Sequence, residues 1–341
     1  MTHYNLALIG FGNVGQAFLS LLQQKKDLLM DEYGLSFTVT AIATGRHGMA
    51  INRQGMDPDR AIQLISQGSS INSLSNQTAP IDTLELIRSC RADVLFENTP
   101  VNYETGQPAL TYLGAALENG MHAITANKGP VVHGYEELTH LAKQHDRKFY
   151  FESAVMDGAP IFSLFRGSLP ALDLKAFLGI LNSTTNLVLT RMEAGDSFAG
   201  SVAYAQSIGL AESDPTGDID GWDAAVKVSA LVTVLMGIPL KLAQIDRTGI
   251  RGLTANDIQQ AQAQGKRWKL VCNARREGET VIARVKPELV GPDSPLYGVT
   301  GTSSIVTFET DVLPQLSIVE GNPGPETTAY GLLADFINAT R

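Results

Sequence analysis

A glycine-rich turn near the amino terminus constrains the fold of this chain more than any other feature. The run GFGNVG follows a short β-type segment at residues 5–9 and precedes a helix whose apolar residues recur at i, i+3 and i+4. Gly10 permits a tight turn, Gly12 lets backbone approach a pyrophosphate, and Gly15 lets the helix pack closely. In this context the pattern predicts a dinucleotide site rather than a plain turn. Its residues are Gly10, Phe11, Gly12, Asn13, Val14 and Gly15.

The spacing of β-type and helical segments predicts two domains. Up to residue 151, β-type runs at 5–9, 37–43, 93–97, 122–126 and 148–151 alternate with helical periodicity. Such alternation is typical of an α/β fold with a Rossmann-type, doubly wound parallel sheet. Residues 152–326 have a mixed pattern, including a hairpin turning at Glu277 and Gly278, and predict a second α+β domain for catalysis and dimerisation. A final helix, residues 327–341, is expected to complete the first domain.

The ends of the predicted parallel strands indicate where a cofactor would bind. The second strand ends without the acid that binds an adenine ribose, and Arg46 suits a 2′-phosphate instead. This favours NADP and leaves NAD possible, with a solvated surface arginine as the competing interpretation. Asn98, Thr99 and Lys128 follow later strands, at the edge where open α/β sheets bind ligands. Position alone favours an exposed loop lysine as the interpretation of Lys128.

Composition limits the classes of binding partner and the cellular compartment that we expect. The chain of 341 residues has 44% apolar residues, 18% charged residues and a net charge of −9. A negative chain lacks the basic face that nucleic acid or a membrane surface would require, so we expect neither as a partner. Its two cysteines, Cys90 and Cys272, have no metal-type spacing and are expected to be buried thiols. No secretory signal pattern is present at the first residues, and we expect a cytoplasmic protein.

An acidic run ending in a lysine is the strongest candidate for chemistry. Pro215, Gly217 and Gly221 predict a loop that leads into a helix. Asp223 and Lys227 are one turn apart on that helix, so they form either an ordinary helix ion pair or part of a site for a cationic group. The five carboxylates of the run belong to Glu212, Asp214, Asp218, Asp220 and Asp223.

Two motifs together resemble the homoserine dehydrogenase family. GILNSTTNLVLTRM at residues 179–192 and GLAESDPTGDIDGWDAAVK at residues 209–227 are similar to the family pattern GIxNGTTNYILTxM followed by GxAExDPxxDxxGxDxxxK. The likeness extends over nearly the whole chain. It implies NAD(P)-dependent interconversion of L-homoserine and L-aspartate 4-semialdehyde, in the biosynthesis of threonine, methionine and isoleucine. It also implies a homodimer and a short form without a carboxyl-terminal regulatory domain.

The resemblance implies roles for individual residues. Lys227 is the first choice for proton transfer and Lys128 the second, with Asp223 orienting Lys227 and the substrate. The implied substrate site consists of Thr184, Glu212, Asp218, Asp223 and Lys227. On the cofactor side, Gly324 joins Asn98, Thr99 and Lys128.

The resemblance also implies a monovalent cation, Na⁺ or K⁺, bound largely by backbone carbonyls. The corresponding residues are Glu152, Val155, Asp157 and Ala159. The chain departs from the family pattern at five positions. Asp157 replaces a small residue, Ser183 and Asn322 each replace a glycine, Ser304 replaces an asparagine and Pro323 replaces an alanine.

Two alternatives stay open. A related NAD(P)-dependent amino-acid dehydrogenase would keep the glycine turn without needing both lysines. A non-catalytic NADP-binding homologue would bind cofactor without turnover.

Overall fold

The structure, a computed structural model, describes residues 1–78 and 80–341. It divides into two compact units. The first comprises Met1–Pro160 and Gly324–Arg341, and the second comprises Ile161–Pro323. The functions predicted for the two parts of the chain, dimerisation included, stay predictions.

The first unit is built on a six-stranded sheet with the order β3-β2-β1-β4-β5-β6. Its elements before residue 160 are β1 (Thr2–Ile9), α1 (Asn13–Gln24), α2 (Lys26–Tyr33), β2 (Leu35–Ala43), β3 (Met49–Ile51), α3 (Pro58–Ser66), α4 (Thr83–Ser89), β4 (Val94–Glu97), α5 (Ala109–Glu118), β5 (His122–Thr125), α6 (Lys128–Gln144) and β6 (Phe149–Tyr150). The five predicted strands are confirmed as parallel neighbours, with small shifts at their ends. Sequence reasoning missed β3, which pairs antiparallel with β2 at the sheet edge and makes the sheet mixed.

The second unit is built on a six-stranded sheet with the order β12-β11-β7-β9-β10-β8. Its elements, followed by the final helix of the chain, are β7 (Leu174–Ile180), α7 (Ser183–Glu193), α8 (Phe198–Ser207), α9 (Thr216–Ile219), α10 (Trp222–Leu231), β8 (Asp246–Arg247), α11 (Ala255–Ala263), β9 (Arg267–Glu277), β10 (Thr280–Val290), β11 (Ser304–Thr310), β12 (Leu316–Glu320) and α12 (Pro325–Thr340). The hairpin of β9 and β10 is confirmed. All neighbours pair antiparallel except β8 and β10.

Aromatic side chains tie the last helix of the chain to the first sheet. Phe96 of β4 lies between Phe18 of α1 and Phe336 of α12, with ring centroids 4.4 Å and 5.9 Å away. All three side chains are fully buried. Burying such rings contributes strongly to stability, so α12 is part of the core of the first unit despite its distance along the chain.

The prediction of a loop at residues 215–221 is wrong for the middle of this segment, where α9 forms one helical turn. Proline and glycine exclude a long helix, yet Pro215 suits the start of a short one. Asp214 helps by accepting a hydrogen bond from the Thr216 amide at 3.1 Å. Gly221 then takes a left-handed conformation, with φ of 79°, directly before α10.

The apolar segment after α10 continues the helix as a π-helical turn, Val232–Met236, and ends at Gly237, which has a left-handed backbone conformation. Across residues 1–78 and 80–341, we find no helix with both the length and the apolar character that a membrane span requires.

Candidate active site

The glycine turn of the first unit leaves almost no space for side chains at two of its positions. Gly10 has φ of +87°, and a Cβ atom there would lie 2.4 Å from the carbonyl oxygen of Asn98. A Cβ on Gly15 would lie 2.7 Å from the carbonyl oxygen of Gly10. A Cβ on Gly12 would meet no atom within 4 Å. The turn is therefore tightly packed against β4 but open above Gly12, where a ligand would approach.

Two further observations fit a dinucleotide at this turn. Helix α1 begins without a side-chain cap, so its first amide groups are available to a pyrophosphate. Both polar atoms of the Asn98 side chain are buried without a hydrogen-bond partner among the described residues. Burying an amide in this way is unfavourable, and a polar group of a ligand would satisfy it. The residues present therefore fit a dinucleotide cofactor.

The strand order assigns the two halves of that cofactor. β2 and β4 flank β1 on opposite sides. Because the adenine ribose is bound at the end of β2 in this type of fold, we expect Asn98 and Thr99 at the end of β4 to lie on the nicotinamide side. Gly324, the other glycine predicted at the cofactor, directly precedes α12 in the first unit.

Arg46 lies in the short turn between β2 and β3. Thr44 closes this turn by donating from its amide and its hydroxyl to the carbonyl oxygen of Gly48, at 3.0 Å and 2.9 Å. The Arg46 side chain is exposed and forms no ion pair or hydrogen bond with another described residue. It is therefore available to a phosphate group.

Lys128 is the first residue of α6, at the end of β5. Asn127 caps this helix, since its side-chain oxygen accepts a hydrogen bond from the amide of Gly129 at 2.9 Å. Lys128 is half-buried and belongs to the first unit. The strand end and the helix cap together fix the position of its backbone.

In the second unit, Asn182 brings two carboxylates of the acidic run together. Its Nδ2 donates to Asp218 Oδ1 at 2.7 Å and to Asp223 Oδ2 at 3.1 Å. Its side-chain oxygen caps α7 by accepting from the amide of Thr185 at 2.8 Å, which fixes the orientation of the amide group. Asn182 is therefore the centre of the site in this unit.

Lys227 joins this cluster through Asp223. Its Nζ lies 3.2 Å from Asp223 Oδ2 and donates to the carbonyl oxygen of Leu181 at 2.7 Å. The side chains of Lys227 and Asp223 are only 16% and 9% exposed. The predicted pair is therefore present, but it is part of a buried cluster and not an ordinary surface pair.

Burial makes one carboxyl of the cluster harder to ionise. It raises the pKa of Asp218, and the neighbouring charge of Asp223 raises it further. Hydrogen bonds from Asn182 and Thr184 act against this rise, as does the charge of Lys227. Thr184 itself is buried at the start of α7. A cation bound beside Asp218 would offset both causes of the raised pKa.

The structure does not bring all five carboxylates of the acidic run together. Asp214 lies just before α9 and accepts hydrogen bonds from Thr216, which lower its pKa. Asp220 lies 2.8 Å from Arg251 Nε. Glu212 is exposed, and its carboxylate forms no ion pair or hydrogen bond within the described residues. The whole run therefore does not form one cluster, and Asp218 and Asp223 are the two carboxylates that share a contact with Asn182.

Comparison with known protein families shows the family to which this chain belongs. The family model for the homoserine dehydrogenase NAD-binding domain matches residues 10–152, and the homoserine dehydrogenase model matches residues 160–337. The chain belongs to the homoserine dehydrogenase family. It is an NAD(P)-dependent oxidoreductase that interconverts L-homoserine and L-aspartate 4-semialdehyde.

Individual relatives align along nearly the full chain. It is 34% identical over 339 residues to the NAD(+)-dependent homoserine dehydrogenase of Pseudomonas canavaninivorans, covering 99% of this chain and 96% of that protein. It is 35% identical over 335 residues to the homoserine dehydrogenase of Methanocaldococcus jannaschii, covering 98% of each. A solved homoserine dehydrogenase from Thiobacillus denitrificans superimposes with a TM-score of 0.84 at 30% identity, covering 100% of this chain and 74% of that one.

The segment that the family resemblance assigns to a monovalent cation is irregular and largely buried. Glu152 begins a single 3₁₀ turn, and its amide donates to Asp335 Oδ2 at 2.6 Å. Asp157 has φ of 37°, unusual for a residue with a side chain. Among the described residues, no group of three or more His, Cys, Asp or Glu side chains is arranged to hold a metal. A site formed by the carbonyls of Glu152, Val155, Asp157 and Ala159 stays a prediction.

Sequence reasoning missed two polar residues that organise the second unit. Asn182 directly precedes a helical pattern, which is the usual signal of a helix cap. Lys269 lies in β9 and is fully buried. Its Nζ donates to Asn186 Oδ1 at 2.9 Å and to the carbonyl oxygen of Val299 at 2.6 Å. Burial lowers the pKa of Lys269 to about 8.

Proposed function

We propose that Lys227 transfers the proton in the homoserine dehydrogenase reaction, with Asp223 orienting it. The observation that carries this proposal is the cluster in which Asn182 holds Asp218 and Asp223 beside the Lys227 ammonium. The nicotinamide cofactor supplies the hydride acceptor in oxidation and the hydride donor in reduction. Lys128 remains the second choice for the proton.

A hydrogen bond and an ion pair orient the Lys227 ammonium. Its Nζ donates to the Leu181 carbonyl and lies 3.2 Å from Asp223 Oδ2, and we assign a remaining N–H group to the substrate oxygen. In reduction, this N–H stabilises the negative charge that develops on the carbonyl oxygen and then delivers the proton. In oxidation, the neutral amine accepts the proton of the homoserine hydroxyl.

The substrate ammonium is assigned to Asp218, supported by Thr184. Asp218 is held in place by Asn182, and its raised pKa reflects burial and a neighbouring carboxylate. An ammonium group at hydrogen-bond distance would stabilise the ionised carboxylate. Glu212 lies outside the cluster, so its predicted role in holding the substrate has less support than that of Asp218.

NADP is the proposed cofactor, and Arg46 is the supporting residue. An exposed arginine after β2 suits the 2′-phosphate that distinguishes NADP from NAD. The NAD(+)-dependent relative makes NAD the competing outcome. Replacing Arg46 with alanine should raise the KM for NADP by about tenfold and leave the KM for NAD within about twofold. Equal effects on both cofactors would show that Arg46 does not bind the phosphate.

The reaction is tested by assaying homoserine oxidation with NAD and with NADP at alkaline pH. Turnover with NADP in preference to NAD supports the proposal. Binding of NADPH without homoserine oxidation or semialdehyde reduction would favour a non-catalytic homologue. Turnover of another amino acid in preference to homoserine would favour a related dehydrogenase.

We also propose that the protein binds a monovalent cation. Comparing the rate of homoserine oxidation in Na⁺, in K⁺ and in a bulky organic cation tests this proposal.

A homodimer formed by the second sheet is also proposed. β7, β9 and β11 form a groove whose lining includes Leu178, Asn273 and Thr307. On the edge strand β12, Val319 is 62% exposed. Covering such a surface with a second copy would remove apolar area from water. Light scattering should give a mass near twice the chain mass of 36.6 kDa, and a monomer would contradict the proposal.

A further inference from the structure

Glu97 is a fully buried carboxyl group at the end of β4, directly before Asn98. It forms no ion pair within the described residues and is held by hydrogen bonds alone. Burial raises its pKa, and hydrogen bonds from Thr99 and Thr125 oppose the rise. A buried carboxyl without a cation is unfavourable unless its hydrogen bonds are satisfied. An apolar residue at this position would not form these hydrogen bonds.

The carboxyl group of Glu97 connects the ends of two neighbouring strands. Its Oε1 accepts from the amide of Thr99 at 2.7 Å and from the Thr99 hydroxyl. Its Oε2 accepts from the hydroxyl of Thr125, the last residue of β5, at 2.7 Å. The connection therefore fixes the backbone on either side of Asn98.

The connection continues into the start of α6. The Thr125 hydroxyl accepts from the amide of Asn127 at 2.8 Å. Asn127 donates from its side chain to the carbonyl oxygen of Thr99 at 3.1 Å, and it caps α6 through Gly129. One set of hydrogen bonds thus joins the end of β4, the end of β5 and the helix turn that begins with Lys128.

We propose that Glu97 is a positioning residue for the nicotinamide half of the cofactor site. Its carboxyl group sets the strand ends that carry Asn98, Thr99 and Lys128, while the glycine turn that binds the pyrophosphate is formed by other residues. This inference rests on the cofactor site proposed above. It separates the two halves of that site, because loss of Glu97 should affect the nicotinamide side and leave the adenine side intact.

The test compares whole cofactors with fragments that lack the nicotinamide. Dissociation constants are measured for NADPH and NADH, and for 2′-phospho-ADP-ribose and ADP-ribose. In Glu97→Leu, which keeps the site filled but loses the hydrogen bonds, the dissociation constant of the preferred cofactor should rise about tenfold or more. That of the matching fragment should stay within about twofold of the wild-type value. Glu97→Gln, whose oxygen still accepts from Thr99, should restore most of the affinity.

A second pair of variants keeps the test decisive if Glu97→Leu does not fold. Thr125→Val removes the hydroxyl that joins Glu97 to Asn127, and Thr125→Ser keeps it. Only the valine variant should bind the cofactor several-fold more weakly. The proposal is overturned if cofactor and fragment weaken equally, if neither weakens, or if valine and serine behave alike. Wild-type protein that binds cofactor without oxidising homoserine would refute the proposed function and leave this comparison valid.

Discussion

The two units form their candidate sites from different parts of the chain. In the first unit, the glycine turn offers backbone amides and open space, and Gly10 is packed against the backbone of Asn98. In the second unit, the site consists of side chains, with Asn182 joining Asp218 to Asp223 and Lys227. Adding a methyl group should therefore disturb the packing or the cofactor binding of the first site. Removing a charged group should disturb the chemistry of the second site.

The largest effect is expected from Lys227→Met in the second unit. Loss of the proton-transferring ammonium should lower kcat by about 1000-fold and leave the cofactor dissociation constant nearly unchanged. Steady-state kinetics and a fluorescence titration measure the two quantities. Lys286→Met is the matched control, because it removes another lysine–aspartate pair, with Asp246 at 2.6 Å, on an exposed part of the same unit. A Lys227 variant with wild-type kcat would refute the assignment.

The first unit should respond to single added methyl groups. Gly10→Ala combines a left-handed φ with a clash against the Asn98 carbonyl and should lower the free energy of unfolding by roughly 3 kcal/mol.

Gly12→Ala has space for its methyl group and should leave the free energy of unfolding nearly unchanged while weakening cofactor binding. Thermal unfolding and cofactor titration separate the two effects. If Gly12→Ala bound cofactor normally, the pyrophosphate would not approach this residue.

These two regions also differ in how far the sequence predicts them. The glycine turn is predictable because its spacing, the strand before it and the helix after it are all local. The edge strand β3 was missed because three residues carry too little periodicity to be recognised. The one-turn helix α9 was missed because proline and glycine mark both turns and short helices.

The side-chain cluster was predictable only in part. Asp223 and Lys227 are four residues apart, but the contact of Asn182 with Asp218 joins positions 36 residues apart and depends on the fold. Glu212 is close to Asp218 in sequence but lies outside the cluster, because the fold and not the spacing decides which side chains meet. Glu97 ends the apolar strand β4, but Lys269 lies in β9 among other charged residues, and neither sequence context identifies the groups that the side chain contacts. Local spacing therefore predicts backbone sites better than sites assembled from distant side chains.

Lys269 should make the free energy of unfolding depend on pH. Burial, aided by the charge of Arg267 and opposed by that of Glu193, lowers the pKa of Lys269 to about 8 from its ordinary value of 10.5. Between these values the unfolded chain binds more protons than the folded one, so the free energy of unfolding rises with pH. The contribution between pH 8 and pH 9.5 is about 1.5 kcal/mol. Urea titrations at several pH values should show this rise in the wild type and its loss in Lys269→Met. A rise that persists in the variant would exclude Lys269 as its source.

The smallest effect concerns two departures from the family pattern that meet in space. The hydroxyl oxygens of Ser183 and Ser304 lie 3.3 Å apart, so the serine that replaces glycine contacts the serine that replaces asparagine. A neutral hydrogen bond of this length contributes about 1 kcal/mol or less. Ser183→Ala, Ser304→Ala and the double variant form a cycle whose coupling energy should be about 0.5 kcal/mol. Ser183→Ala should leave kcat within about twofold of wild type, because the cluster around Asn182 does not use this hydroxyl. A large fall in kcat would instead place Ser183 at the substrate and extend the side-chain site to the start of α7.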